Sequence, residues 1–515
     1  MKKLHLHFMG IGGQGISAVA QMALLNGDTV TGCDRQSSAT TRALQQVGID
    51  IQVGHSAEHL AGVDQLVISP AVTALNPHNP ELLEAQRRGV PVSTWQEVLG
   101  SLMQQKCVLS VSGVHGKGTT TAMLALALVD AGLDPTCEIG AVVPRFGANY
   151  RLGKGQYFVN EADEFNHNFW HYHPRVAVVT SIEFEHPEFF ADYEAFLAAF
   201  EHFIRGMDMQ EDWSVPPTLI LNAGSPGCLE LRNRLTGWNG RIVTYAVRTS
   251  SASSWDEHPT FEAYDVKLDN ETSFRVRAHE GPSFPEERVI SLQVPGVHNI
   301  ENALASLSAA SIIGIEAKKI VDSLEGFNGT RRRFEIRHQG PLTVDGRRVD
   351  IVLVDDYAHH PTAIAATLGA ARRRYAGRRL IAVYQPHMYS RTKTFFRQFL
   401  SAFDAADVVI ISDIFPAREQ DTGLVHARQM VDALAQRSHF VSGDGQVLYG
   451  GDLQNTLELL TKTLHANDLA VIMGAGDIYT VTELLLFQPP QAGREGTVAP
   501  AAGAESVPLK TEEVK

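Results

Sequence analysis

Cysteine is scarce in this 515-residue chain: Cys33, Cys107, Cys137 and Cys228 are widely separated and form neither CxxC pairs nor a framework spacing. A disulfide-stapled secreted scaffold is therefore excluded, and buried free thiols are expected, with no redox pair and no zinc site read from them. Long apolar runs are missing too. None reaches the roughly 18 to 20 residues needed to span a bilayer, and MKKLHLHFMG passes into a glycine-rich loop where a signal peptide would carry its apolar stretch. No membrane partner is expected, and the expected location is cytoplasmic. Positive charge is short as well: 44 Lys and Arg against 58 Asp and Glu give a formal net charge of -14. Without a basic excess to displace counterions a general nucleic-acid binder is excluded, so anionic ligands must be held by local devices.

What remains is an ordinary globular composition, 44% hydrophobic and 20% charged. The length exceeds what one core supports and implies about three or four units; the strand and helix pattern gives three. Residues 3 to 100 repeat a short apolar strand and a helical stretch (LHLHFM, DTVTGCD, DQLVISP), an α/β pattern of parallel strands. A second series opens at CVLSVSG, continues through QYFVNEA, RVAVVTSI and TLILNA, and alternates polar and apolar residues over 262 to 294. A third runs through VDIVLVDD, RRLIAVYQP, DVVIISDIF and DLAVIMGAG, which predicts another doubly wound sheet with ligand residues at its strand carboxyl ends. The expected division is a Rossmann-like domain at 1–104, a P-loop ATPase-type α/β domain at 105–326, a Rossmann-like doubly wound domain at 327–487 and a disordered tail at 488–515, where Pro, Ala, Gly and Glu dominate.

Two glycine loops carry the strongest chemistry. GIGGQG places Gly10, Gly12, Gly13 and Gly15 between a strand and a helix of small residues, where the backbone can approach a diphosphate. Asp34, ending the second strand 19 residues after Gly15, is placed to bind a ribose. The motif fits a nucleotide diphosphate without saying which; alone, it would most naturally suggest a nicotinamide or flavin dinucleotide. GVHGKGTTT, Gly113 to Thr121, follows a buried strand; Lys117 brings a point charge to transferable phosphates, and Thr119 and Thr120 offer hydroxyls to phosphate or Mg²⁺. Gly118 stands where a hydroxyl residue usually follows the lysine, which leaves the metal-binding hydroxyl open.

Carboxylates gather at the next strand ends, EADE (Glu161 to Glu164) and IEFEHPE (Ile182 to Glu188). Beside a phosphate loop they are what a divalent cation and an acyl phosphate require, and Glu161 and His186 are the leading residues. Solvated strand ends would look similar. His298, Asn299 and Asn302 open a helix with the two amides one turn apart, able to face a base or ribose or merely to cap, and Arg331, Arg332 and Arg333 suit phosphate or a solvated linker. In the third series, Asp356 and Tyr357 could hold a nucleotide, while His387 and Arg391 could meet a small carboxylate. Adjacent His359 and His360 would not face one metal on a strand.

The ordered set GIGGQG, GVHGKGTTT, EADE, IEFEHPE, GVHNIENALA, GTRRRF, DDYAHHP, QPHMYSRT and MGAGDI resembles the Mur ligase family from about residue 5 to residue 487. The resemblance implies an ATP- and Mg²⁺-dependent ligase of peptidoglycan precursor synthesis, monomeric or weakly dimeric, that phosphorylates the lactyl carboxylate of UDP-N-acetylmuramate and couples it to L-alanine. It implies Gly10, Gly12, Gly13, Gln14, Gly15, Asp34 and Ser69 at the UDP sugar. ATP would meet Gly113, Val114, His115, Gly116, Lys117, Gly118, Thr119, Thr120, His298, Asn299, Asn302, Arg332, Arg333, Asp356 and Tyr357. Thr119, Glu161 and His186 would hold the metal; Lys117, Glu161 and His186 would be catalytic; Tyr357, His359, His387 and Arg391 would meet the amino acid. Departures from the family pattern are Gly118 for Thr, Arg331 for Gly and Glu185 for Asp, and no candidate stands out for the carbamylated lysine of several relatives, as in the alanine-adding branch. A recycling ligase that adds a tripeptide shares most motifs, and RLGKGQYFVNEADEF leans that way, whereas QPHMYSRT leans back toward alanine. A folate-type polyglutamate ligase would leave the first domain idle, and a dinucleotide oxidoreductase or nucleotide sensor would leave Lys117 idle.

Overall fold

The computed structural model describes residues 3–69, 76–210, 212–249, 258–269, 271–279, 288–441 and 445–487; the tail expected from 488 lies outside them. Three sheets follow along the chain, so the α/β class with three sheets holds. The first has five parallel strands in the order Asp50–Val53, Thr29–Asp34, His5–Met9, Gln65–Ile68 and Val92–Thr94. The order reverses between His5–Met9 and Gln65–Ile68, so the crevice at this switch point is flanked by the glycine loop after the one and Ser69 after the other.

The central sheet has ten strands, in the order Val289–Leu292, Thr272–Ala278, Phe261–Lys267, Arg241–Val247, Thr218–Asn222, Val176–Val179, Cys107–Ser112, Tyr157–Glu161, Thr136–Val143 and Ala148–Arg151. Both edges are antiparallel and the middle is parallel. Cys107–Ser112 is buried along its whole length, as an apolar strand covered on both faces must be. On one face lie the helices Lys117–Asp130 and Val297–Ile312, whose Leu124, Leu128, Leu304 and Leu307 are sealed from water. Each such leucine stabilises the fold by about 1.5 to 3 kcal/mol.

The third sheet runs Glu335–Val344, Arg347–Asp356, Asp468–Met473, Arg379–Tyr384, Val408–Ser412, Gln446–Gly451. Its last five strands are parallel, as expected. The first is antiparallel, which makes this sheet mixed and not uniformly doubly wound. The cause is local: Asp345 (φ 49°) and Gly346 (φ 72°) form a two-residue turn with both residues left-handed, the favoured hairpin geometry for Asp-Gly.

The first and central units meet without a spacer. At Gly100, in the helix Trp95–Met103, an added Cβ would stand 2.3 Å from the carbonyl oxygen of His171. Only glycine permits that approach.

Candidate active site

The loop joining Cys107–Ser112 to Lys117–Asp130 depends on two left-handed glycines, Gly113 (φ 119°) and Gly116 (φ 80°). A Cβ would lie 2.3 Å from Thr180 Oγ1 at Gly113 and 2.1 Å from Asn302 Oδ1 at Gly116. The strand Val176–Val179 neighbours Cys107–Ser112, so the segment after it pins the loop: the Val114 and His115 amides donate to Ser181 O (3.0 Å) and Oγ (3.1 Å). Strand Tyr157–Glu161 flanks the other side and delivers the EADE acids.

Lys117 Nζ donates to both oxygens of Glu164 (2.9 and 2.7 Å) and lies 3.9 Å from Asp163. Burial opposes its charge, but Glu164, Asp163 and Glu161 outweigh that and raise its pKa. Burial also pushes up Glu161 and Glu164 against the pull of Lys117, and Glu138 beside them well above the usual carboxylate range. Several buried acids thus face one lysine, a surplus of negative charge that a cation would offset.

Asp163, Glu164 and His186 have ligand atoms within 4.8 Å of one another, an oxygen-rich set that fits Mg²⁺. Of the three residues read as metal-associated, His186 belongs to this group; Glu161 and Thr119 line the same cavity outside it. Glu161 accepts the Gly140 N–H at 2.8 Å. A Cβ on Gly118 would come within 3.1 Å of Glu161 Oε2, so Gly118 leaves room for that carboxylate. His186 has a left-handed backbone (φ 56°) and its Nδ1 lies 3.0 Å from Glu188. Burial works against its protonation, but the bond to Glu188 and the Glu185 and Glu164 charges leave its pKa raised.

One cavity of about 900 Å³ joins this loop to the other units. From the first come Gly15 and Trp95, from the third Tyr357, His359, His387 and Arg391. Arg391 is buried, with Nε and Nη2 both 2.8 Å from Glu185 Oε1 and Nη1 3.0 Å from His387 Nδ1, so it ties the third unit to the central one. Burial keeps His387 neutral, with a pKa near 4, and lowers His359 well below its usual range. The paired histidines do face different centres. His359 turns to His387, and His360 joins His115 and Glu183.

Several other sequence-picked residues line the same cavity and also bond within the protein. Asn302 Nδ2 donates to Asn299 Oδ1 (3.2 Å), Asn299 Nδ2 to Pro295 O (2.8 Å), and Thr120 Oγ1 to Asn302 Oδ1 (3.2 Å), so the two amides couple the phosphate loop to the next helix. His298, its pKa lowered to about 4 by burial, lines the cavity next to them. Arg332 donates to the carbonyls of Gly474 and Gly476 and stacks on Tyr357 and Tyr479, whereas Arg333 lines the cavity. Asp356 accepts the Phe334 and Ala358 amides, 2.7 Å each, and so braces the segment that enters the third sheet.

In the first unit, Gly10 and Ile11 donate to Cys33 O, and Asp34 accepts the Gly12 amide at 2.9 Å. Gly13 precedes the helix that begins at Gln14, and Gly15 lies under Trp95, whose ring a Cβ would meet at 2.7 Å. Of the residues read as UDP-sugar contacts, Gly15 lines the cavity; Gly10, Gly12, Gly13 and Ser69 flank the first sheet's switch point, and Asp34 is joined to them through Gly12. Sequence reasoning passed over Glu164 and Asp163 within EADE, although they hold Lys117. It also passed over the Glu183 that joins His115 and the Arg418 that meets Glu188. The motifs contained the acids, but nothing in their spacing says which one turns toward the lysine.

A phosphate loop with buried acids and a substrate-sized cavity closed by a third α/β unit define a nucleotide-dependent ligase class. Three family models match: Mur ligase family, catalytic domain (residues 5–107), Mur ligase middle domain (111–310), and Mur ligase, glutamate ligase domain (332–476). The chain belongs to the Mur ligase family. It is 37% identical to the UDP-N-acetylmuramate--L-alanine ligase of Acetivibrio thermocellus, over 94% of this chain and 95% of that one, and 37% identical to the enzyme of that name from Geobacter sp. strain M21 (94% and 97%). Among solved structures, the UDP-N-acetylmuramate-alanine ligase of Thermotoga maritima superposes with a TM-score of 0.73 at 26% identity, covering 94% of this chain and 99% of that one. A murein peptide ligase from Psychrobacter arcticus gives 0.64 at 25% identity (94% and 98%).

Proposed function

We propose that this chain is an ATP-dependent ligase joining L-alanine to the lactyl carboxylate of UDP-N-acetylmuramate. The observation that carries the reading is the single cavity in which the Lys117 loop, the Asp163, Glu164 and His186 group and the Arg391 wall face one another. In this reading residues 1–104 take the UDP sugar through Gly10 to Gly15, Asp34 and Ser69. Residues 105–326 take ATP, and 327–487 bring the amino acid. The γ-phosphoryl passes from ATP to the carboxylate, the alanine amine attacks the acyl carbon, and phosphate leaves as the amide forms. Lys117 neutralises transferring phosphoryl charge, and the loop amides cradle it. Bound Mg²⁺ would supply further charge neutralisation at the phosphates. Glu161, Asp163, Glu164, His186 and Thr119 are the groups that would hold it, directly or through water.

Arg391, with His387 and His359 beside it, offers a cationic and hydrogen-bonding wall for the alanine carboxylate. The enzyme would act in the cytoplasm as a monomer or weak homodimer, with no nucleic-acid or membrane partner; among the described residues no helix is long and apolar enough to cross a membrane. The test is phosphate release from ATP with UDP-N-acetylmuramate, with single amino acids or a muropeptide tripeptide as acceptor. Release stimulated by L-alanine supports the reading, and release stimulated by the tripeptide alone moves the chain to the recycling ligases.

A further inference from the structure

The first unit contains a polar cluster that lies off the active-site cavity. Glu81 in the helix Pro80–Arg88 is fully buried, yet its ion-pair partners among the described residues are three imidazoles, His7, His55 and His59, with neither lysine nor arginine. Its oxygens lie 2.6 Å from His59 Nδ1, 3.1 Å from Cys33 Sγ and 3.4 Å from His55 Nδ1. A buried carboxylate without a cation is costly.

His7 supplies the second observation. It is 1% exposed; its Nδ1 is 2.9 Å from Thr31 Oγ1, and its Nε2 points into the cluster 4.0 Å from Glu81 with no hydrogen-bond partner. An imidazole held at one nitrogen and open at the other is the usual arrangement of a metal ligand. Ligand atoms of His7, Cys33, His59 and Glu81 all lie within 4.8 Å of one another. The edges of a tetrahedron built on zinc bonds to nitrogen, oxygen and sulfur are roughly 3.3 to 3.8 Å; the distances to Glu81 here are 2.6 Å from His59, 3.1 Å from Cys33 and 4.0 Å from His7, a range that brackets those edges.

We propose that His7, Cys33, His59 and Glu81 form a structural Zn²⁺ site, with His55 hydrogen-bonded at its solvent edge. One thiol, two imidazoles and one carboxylate suit zinc and its transition-metal neighbours and not Mg²⁺ or Ca²⁺. Burial and Glu81 push the Cys33 thiol far up in pKa, and a coordinating cation reverses that by deprotonating it. The ligands come from two neighbouring strands, the turn Ala57–Leu60 and the helix Pro80–Arg88, so the ion would fasten that turn and helix to the sheet. None of them lines the active-site cavity.

The absence of CxxC spacing hid this site, because its ligands are single residues gathered by the parallel fold.

The full chain, produced in zinc-supplemented medium and purified without chelator, is assayed for metal content, and the cobalt-exchanged protein for a thiolate-to-cobalt charge-transfer band. One equivalent of zinc is expected, lost in Cys33→Ser and in the partly exposed His59→Gln, and retained in His186→Ala; far-UV dichroism shows which variants fold. The charge-transfer band should vanish in Cys33→Ser and persist in His186→Ala. Zinc that survives both cluster substitutions, or leaves with His186, would overturn the site, and so would a wild-type protein that holds no zinc, since the cluster would then be a hydrogen-bonded network only.

Discussion

Replacing Arg391 by alanine tests how the third unit serves the reaction. Its guanidinium makes three nitrogen contacts, two to one oxygen of Glu185 and one to His387, and both charged partners are almost wholly buried. Burial works to raise the Glu185 carboxyl, but Arg391, followed by His186, His360 and His359, holds its pKa well below the usual range. Removing one member of a buried pair costs about 3 to 5 kcal/mol, whereas losing a charge-assisted substrate contact alone costs about 1.5 to 3 kcal/mol. The broken pair is therefore expected to lower the variant's stability by about 3 to 5 kcal/mol, and the lost contact to lower kcat/KM for alanine roughly ten- to a hundredfold.

If Arg391 also meets the alanine carboxylate, the KM for alanine rises roughly ten- to a hundredfold while the KM for ATP stays within about threefold. Steady-state constants for both substrates in Arg391→Ala, Glu185→Ala and the double variant, beside thermal melts, decide it. Glu185→Ala should recover part of the loss, with a coupling of at least about 1.5 kcal/mol. Additive losses, or alanine and ATP constants that rise together, would refute the reasoning.

Lys117→Ala should lower alanine-dependent phosphate release at least about a hundredfold with native far-UV dichroism; near-wild-type turnover would remove the ATP assignment. Gly116→Ala forces a left-handed alanine, about 1 to 2 kcal/mol, and drives a methyl to 2.1 Å from Asn302; calorimetry should find weakened ATP binding, partly restored by adding Asn302→Ala. Asp355, hydrogen-bonded to Thr482 and Arg337, has its pKa pushed up to about 6 by burial. A raised folded pKa in an acid means that the folded state binds more protons, so this contribution is present below about pH 4 and lost as pH rises through about 6. The stability of Asp355→Asn relative to wild type should then improve by about 2 to 3 kcal/mol between pH 4 and 7 in denaturant titrations, and a flat difference would contradict the assignment.

The sequence by itself determined what is local. Apolar strands of four to six residues before glycine turns fix parallel α/β units, because strand carboxyl ends and helix starts must meet there. The spacing GVHGKG fixes a phosphate loop, because left-handed turns at 113 and 116 admit only glycine comfortably. The antiparallel edge of the third sheet was not read from the sequence, although the Asp345-Gly346 pair is a local hairpin signal for it.

Only the tertiary structure decided what depends on distant segments. It chose Glu164 over Glu161 as the partner of Lys117, since residues three apart in an irregular segment can face either way. It bound Arg332 to carbonyls 142 and 144 residues onward and left Arg333 to the cavity. It paired Arg391 with Glu185 across 206 residues and brought His7, Cys33, His59 and Glu81 to one point. Each is a charge or a lone pair whose partner is set by packing between elements, and chain spacing carries no record of that distance.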